Sequence, residues 1–280
     1  MNILQAIKNI AELTQSEIQE DFSGRNRINN VGKALELFIQ NAFAGTFDIE
    51  DEQTKLTMFE QIFSYQGNQN NPPDLILKGS DAIEVKKIEG KNSAIALNSS
   101  YPKARLYSDD DKIIQACKDC ENWTVKDIIY AVGNLKDSKL HSLWMVYGDC
   151  YAADREIYER IKHAISSGVN VIEGISFTDT KELGKVKGVD PLEITDLRVR
   201  GMWHILHPNR VFNYINQITS LQESDFELIV LMKTTKFESF PDSDKQQINS
   251  IQGISVHDIK IKNPNNPVQL VDCKLITFTR

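Results

Sequence analysis

The sequence has no long apolar run. None of its hydrophobic stretches approaches the roughly 20 residues that cross a bilayer as a helix, so no helical span and no membrane partner are expected. Cysteine is scarce: Cys117, Cys120, Cys150 and Cys273 are the four in 280 residues, too few for a disulfide-stapled secreted scaffold. Cys117 and Cys120 have metal-ligand spacing, and His204 with His207 could in principle complete four ligands. No second such cysteine pair follows, however, and structural zinc sites use compact paired modules, so free thiols in a reducing compartment are expected. Met1-Asn2-Ile3-Leu4-Gln5 lacks a basic start followed by an apolar stretch, so the expectation is no signal peptide and a cytoplasmic location. No GxxxxGK[ST] occurs, which argues against an ATP-driven motor. Positive charge is in deficit, with 32 Lys and Arg against 39 Asp and Glu and a net charge of −7. Indiscriminate DNA binding needs a basic surface, so that role is disfavoured, while a local basic cleft is not.

What is present is an ordinary globular composition, 41% hydrophobic and 25% charged, in a chain long enough for one large domain. Apolar positions Ile3, Ile7, Ile10 and Leu13 recur at helical spacing over 2–20. Asn29-Asn30 can cap a second helix, whose face carries Val31, Ala34, Leu35, Phe38, Ile39 and Ala42 and which Gly45-Thr46 ends. A third helix is predicted over 52–65 and a loop over 67–73. Strands are predicted at 74–78, 82–88 and 93–98, forming an antiparallel meander, then at 128–132 and 143–147. A helix over 152–166, a strand over 197–205, a short helix over 211–218 and strands at 226–232, 254–261 and 268–278 follow. The expected fold class is α/β or α+β, with a mixed central sheet flanked by helices. Residues 1–280 are read as a single domain, the N-terminal helices 1–66 packing on a core of 67–280.

Chemistry concentrates in Pro73-Asp74-Leu75-Ile76-Leu77 and Ala82-Ile83-Glu84-Val85-Lys86-Lys87, two strands joined at Lys78-Gly79-Ser80-Asp81. Side chains alternate along a strand, so Glu84 and Lys86 share a face while Lys87 points away. A hairpin centred on Gly79-Ser80 sets Asp74 across from Lys86 or near it. Two carboxylates and an ammonium then converge, a grouping that suits a divalent cation and a water aimed at a phosphate. Mg²⁺ takes oxygen ligands and often only one or two carboxylates, so Asp74 and Glu84 are the candidate ligands and the Val85 carbonyl a third. Lys86, with an ordinary pKa of about 10.4, is expected to orient the water or offset negative charge rather than act as a base. Glu36 is either a fourth member that holds a metal-bound water or a second metal, or a solvated helix residue. The same letters occur at Asp258-Ile259-Lys260 and Asp272-Cys273-Lys274, without a preceding Pro-Asp strand.

Pro73-Asp74, nine intervening residues and Glu84-Val85-Lys86 resemble the PD-(D/E)xK nuclease superfamily. Asn29-Asn30-Val31-Gly32-Lys33-Ala34-Leu35-Glu36 resembles the N-terminal helix motif of type II restriction endonucleases of the NgoPII group. Leu97-Asn98-Ser99-Ser100-Tyr101-Pro102-Lys103 and Leu197-Arg198-Val199-Arg200-Gly201-Met202-Trp203 are similar to segments of that group. The resemblance implies a restriction-endonuclease-like core and a Mg²⁺-dependent enzyme that cuts double-stranded DNA at a short palindrome, GGCC being the target of the group's namesake. It also implies a homodimer, since a two-fold site calls for one active site per strand, and a separate DNA methyltransferase to protect the host.

Within that frame Arg198 and Arg200 share a strand face near Trp203 and Arg210, and arginine is the best bidentate reader of guanine. A surface salt bridge to Glu193 or Asp196 is the alternative. Asn98, Ser99, Ser100, Lys103 and Arg105 follow the hairpin and are candidates for phosphate or base contacts. Arg25 and Arg27 form either a second DNA-clamping loop or a solvated one. Two other functions fit the same residues: a structure-directed nuclease of repair or recombination, and a catalytically silent DNA-binding protein.

Overall fold

The computed structural model describes residues 1–13, 27–68, 71–90, 92–97, 99–136, 139–170, 176–177, 183–219 and 224–280. Helix α1 (Ile3–Ala11) starts at a capping box: Asn2 accepts from the backbone N–H of Leu4 and Gln5, and the Gln5 side chain accepts from Asn2 N–H. Residues 14–20 of the predicted helix lie outside the described residues. Helix α2 (Arg27–Ala44) begins before the Asn29-Asn30 pair expected to cap it, so those residues lie inside its first turn. It ends at Gly45, whose φ of 67° is the left-handed conformation glycine tolerates. Helix α3 (Glu52–Ile62) is capped by Asp51, which accepts from Thr54 N–H.

The predicted 52–65 helix stops early because the chain turns into a strand, β1 (Phe63–Asn68), antiparallel to β2 (Asn71–Leu77). The segment expected to be a loop is therefore mostly strand. Gly67, a loop signal by composition, sits at a register shift in β1, where a Cβ would lie 2.5 Å from the Pro73 carbonyl oxygen. The glycine permits close backbone approach within a bulged ladder.

Strand β3 (Ala82–Ile88) pairs with β2 on one side. The expected third strand of a meander is reduced to β4 (Ile95–Ala96), which leaves this sheet. After β5 (Arg105–Tyr107) and the single turn α4 (Gln115–Lys118), the long strand β6 (Val125–Lys136) takes the place beside β3, in parallel. Strand β7 (Lys139–Tyr147) returns antiparallel to β6, and α5 (Gly148–Tyr151) and α6 (Arg155–Asn170) follow.

The region predicted as one strand over 197–205 is divided. Strands β8 (Ser176–Phe177), β9 (Gly184–Lys187) and β10 (Leu197–Val199) form a small sheet, while β11 (His204–Ile205) pairs with β4 in another. Arg198 lies in β10 and Arg200 beyond its end, so the two do not share one continuous strand.

Helices α7 (Pro208–Val211) and α8 (Asn216–Thr219) lead to β12 (Glu227–Lys233), parallel to β7. Helices α9 (Thr234–Glu238) and α10 (Asp242–Ser250), which periodicity did not disclose, precede the closing hairpin of β13 (Ile254–Asn263) and β14 (Asn266–Thr279).

The main sheet runs β1-β2-β3-β6-β7-β12-β14-β13, with β5 on β6; β3–β6 and β7–β12 are parallel pairs and the other pairs are antiparallel. It is the mixed sheet flanked by helices that the α/β reading anticipated. Its central strands are buried, with Trp144, Tyr147, Leu228 and Val230 essentially inaccessible. Helix α2 seats Leu35 over Gly133 of β6, where a Cβ would lie 2.8 Å from the leucine methyls. That close approach carries the next residue, Glu36, to the region of β3. No helix among the described residues is long and apolar enough to cross a membrane.

Candidate active site

The β2–β3 turn is held by Ser80 N–H donating to Leu77 O (3.0 Å) and Leu77 N–H donating to Asp81 O (2.9 Å). Gly79, with φ of 64°, makes the reversal and donates its N–H to Glu121. Leu75 pairs with Ile83 and Ile76 with Ala82. Extending this register by one residue sets Asp74 opposite Glu84, with Lys86 near rather than directly across, the second of the two placements expected. The ladder ends there, and Asp74 Oδ2 accepts the Val85 N–H at 2.6 Å. The N–H and C=O of one strand residue leave on the same edge, so the Val85 carbonyl emerges beside Asp74.

Lys86 Nζ lies 2.6 Å from Glu84 Oε1, which places the two side chains together on one face. Glu84 is 9% exposed, and its Oε2 is buried with no hydrogen-bond partner. Burial pushes the Asp74 carboxyl up to about 8, helped by the negative charges of Glu84 and Glu36 and opposed by Lys86 and the Val85 N–H. Burial also raises Glu36, with Lys86 lowering it and Glu84 raising it further. The Lys86 ammonium is disfavoured by burial, but Glu84, Asp74 and Glu36 outweigh that and raise its pKa. Glu36 of α2 therefore shares an electrostatic environment with Asp74, Glu84 and Lys86 of the hairpin. Three carboxyl groups share the spot with the Lys86 ammonium, and Lys33 adds a second positive charge near Glu36; the balance remains negative, which a cation would relieve.

Among the described residues, no group of three or more His, Cys, Asp or Glu forms a ready-made metal cage. Two carboxylates with a backbone carbonyl are nonetheless a donor set that Mg²⁺ accepts, because it retains several waters. The orphaned Glu84 Oε2 is the hard oxygen such a set requires.

Tyr130 was not singled out in the sequence. It pairs with Glu84 across the parallel β3–β6 ladder, and its hydroxyl accepts the Lys103 N–H at 2.7 Å. Nothing in the local sequence could reveal this, since the pairing joins distant strands. Glu84, Ser100, Lys103 and Tyr130 line a cavity of about 20 Å³, and the Ser100 hydroxyl is buried there without a partner. Such a space is enough for about one water molecule.

The candidate DNA-contact residues are dispersed. Ser99 is exposed and lines a larger cavity together with Arg200. Lys103 is 5% exposed; its ammonium pairs with Asp110 and lies over the Tyr101 ring, so it is directed inward rather than toward a surface phosphate. Arg105 is half exposed, 3.6 Å from Asp127. Arg198, Arg200 and Arg210 are exposed. Asp196, one anticipated partner of the arginines, pairs with Lys185 at 2.7 Å. Arg27 opens α2, and Arg25 and Asn98 lie outside the described residues.

Comparison with known proteins agrees over the length of the chain. Residues 1–263 match the family model described as NgoPII restriction endonuclease. The chain is 47% identical over 279 residues to the type II restriction enzyme NgoPII of Neisseria gonorrhoeae, covering 99% of each. No solved structure matches. Type II restriction enzymes generally require a divalent metal and act on double-stranded DNA. The chain belongs to the NgoPII restriction endonuclease family and is a type II site-specific deoxyribonuclease.

Proposed function

We propose that Asp74, Glu84 and Lys86, with Glu36, form the hydrolytic centre of this endonuclease and that the metal is Mg²⁺. The reading rests on one observation: at the end of the β2–β3 ladder Asp74 accepts the Val85 N–H and feels the charges of Glu84 and Lys86, which are themselves paired. Asp74, Glu84 and the Val85 carbonyl would hold the cation, which when bound neutralises phosphate charge and activates water. Lys86, paired with Glu84 in this structure, would orient the attacking water or offset charge on the phosphate. Glu36 accepts a hydrogen bond from a water at the same spot. Ser99, Arg105, Arg198, Arg200 and Arg210 are the proposed contacts to DNA, the arginines being suited by their chemistry to phosphate or guanine.

The whole of residues 1–280 works as one endonuclease domain. It acts in the cytoplasm as a C₂ homodimer on a short palindrome, GGCC being the target to test first, and a separate methyltransferase protects the host DNA. The experiment is digestion of a plasmid of known sequence in Mg²⁺ and in EDTA, followed by sequencing of the fragment ends. Discrete fragments sharing one palindromic end, formed only with the metal, are expected. A smear, or cutting unaffected by EDTA, refutes the reading.

A further inference from the structure

The hydroxyl of Ser100, a candidate DNA contact by sequence, is not presented to a surface: its oxygen is buried and has no hydrogen-bond partner. Ser100 lines the cavity of about 20 Å³ that Glu84 and Tyr130 also line. Glu84 Oε2 is the second orphaned oxygen there, and the two do not bond each other. Tyr130 pairs with Glu84 across the β3–β6 ladder, so both side chains leave the same face of the sheet. The Tyr130 hydroxyl accepts the Lys103 N–H, which leaves its own proton to donate.

The other polar side chains of the cavity are already engaged. The Lys103 ammonium pairs with Asp110, and the Tyr101 hydroxyl donates to Glu159 at 3.1 Å. Pro72, Leu97 and Ile128 supply the apolar remainder. Two hydroxyls and one carboxylate oxygen therefore face a gap the size of one water. An unbonded carboxylate oxygen in a buried site is costly, and a water with two or more polar partners removes that cost.

We propose that this cavity holds one water that fixes the Glu84 carboxylate, and that Ser100 and Tyr130 are positioning residues acting through it. The proposal rests on the reading of Glu84 as a metal ligand given above. The water accepts from both hydroxyls and donates to Glu84 Oε2, three bonds being usual for a buried water. Lys86 already holds Oε1 at 2.6 Å, so with the water in place both carboxylate oxygens are tied and the group cannot swing. A carboxylate oxygen has a second lone pair, which stays available to a cation. Hydrogen-bonded partners of a ligating carboxylate set its orientation, and losing one lowers metal affinity by roughly 10- to 100-fold.

The test measures Mn²⁺ affinity of the full-length enzyme by electron paramagnetic resonance, since Mn²⁺ takes the oxygen ligands that suit Mg²⁺. Ser100→Ala should weaken Mn²⁺ binding by about ten-fold or more. Tyr130→Phe should weaken it similarly, and the double variant no more than the worse single, because both act through one water. Affinity for a labelled GGCC duplex in EDTA, read by anisotropy, should be unchanged in Ser100→Ala. Loss of duplex affinity with Mn²⁺ affinity kept makes Ser100 a DNA contact and overturns the proposal. Additive losses in the double variant overturn it too, and Ser100→Ala alone decides should Tyr130→Phe fail to fold. A crystal structure should show one water bonded to all three oxygens; hydroxyls bonded directly to Glu84 refute it. Glu84→Ala is the reference. If it binds Mn²⁺ as the parent does, the metal reading fails and the water with it. If it loses Mn²⁺ while Ser100→Ala does not, the water alone fails.

Discussion

Asp74 accepts the Val85 N–H at 2.6 Å, so the first acid of the hairpin is fixed by the backbone between the second acid and the lysine. This single bond ties the end of β2 to β3 where the ladder stops. It also orients Asp74 while Lys86 is engaged with Glu84. The division of roles leads to different expectations for the two residues.

Lys86→Ala should lower cleavage by at least about 10²- to 10³-fold, the scale of losing one charge-stabilising donor. DNA binding should be largely kept, because the lysine acts on the attacking water or the charge that develops. Plasmid digestion and a gel-shift assay in Ca²⁺ check both halves; full cutting by the variant sinks the assignment.

Asp74→Asn should be inactive yet no less stable than the parent. The amide oxygen can still accept the Val85 N–H, while the buried carboxyl and its repulsion by Glu84 and Glu36 are removed. A Tm equal to or higher than that of the parent is expected in metal-free buffer, as for a site that trades stability for function. A clear fall in Tm would show that the carboxylate supports the fold.

Asp81, 2% exposed, accepts from the Tyr147 hydroxyl at 2.7 Å and pairs with Lys236 at 2.6 Å; Lys236 also reaches Asp127 at 2.9 Å. The network locks the turn residue just before β3 to α9. Lys236→Met leaves a buried carboxylate uncompensated and should destabilise by about 3–5 kcal/mol. Adding Asp81→Asn should recover much of that. Urea unfolding of the two variants decides; equal loss in both would deny the pairing any role.

His207 is buried, and its Nδ1 accepts from Asn209 N–H, so the neutral ring carries its proton on Nε2. Burial pushes its pKa down to about 4, below the ordinary 6.5. Between these values the unfolded chain binds the extra proton, so stability is complete above pH 6.5 and is lost as pH falls toward 4. By pH 5 the loss is about 2 kcal/mol. His207→Asn keeps a side-chain acceptor for the cap and removes this titration. Unfolding at pH 7 and pH 5 should therefore show a smaller drop in the variant by about that amount.

The candidate hairpin is legible because its logic is local. Period-two alternation, a turn glycine and two acids with a lysine lie within 13 residues, and the structure sets them as strand, turn and strand. The register was less legible, because centring the turn one residue differently moves Asp74 from Glu84 toward Lys86, and only the backbone ladder decides. Composition predicts a loop over 67–73 because Gly67 and the prolines signal breakage, whereas the structure uses them within a bulged, closely approached strand. The 197–205 segment failed as a single strand because alternation cannot say whether the two ends of a run find the same partner.

Sequence alone determined the helix faces, the apolar central strands and the acid–acid–lysine set, all of which follow from short-range spacing and side-chain chemistry. The tertiary structure decided that β6 rather than β4 lies beside β3, that Tyr130 stands next to Glu84, and that Glu36 reaches the hairpin by way of Leu35 on Gly133. It likewise turned Lys103 inward to Asp110. These outcomes depend on contacts between residues far apart in the chain, where packing and buried charge select among arrangements that local propensity leaves equivalent.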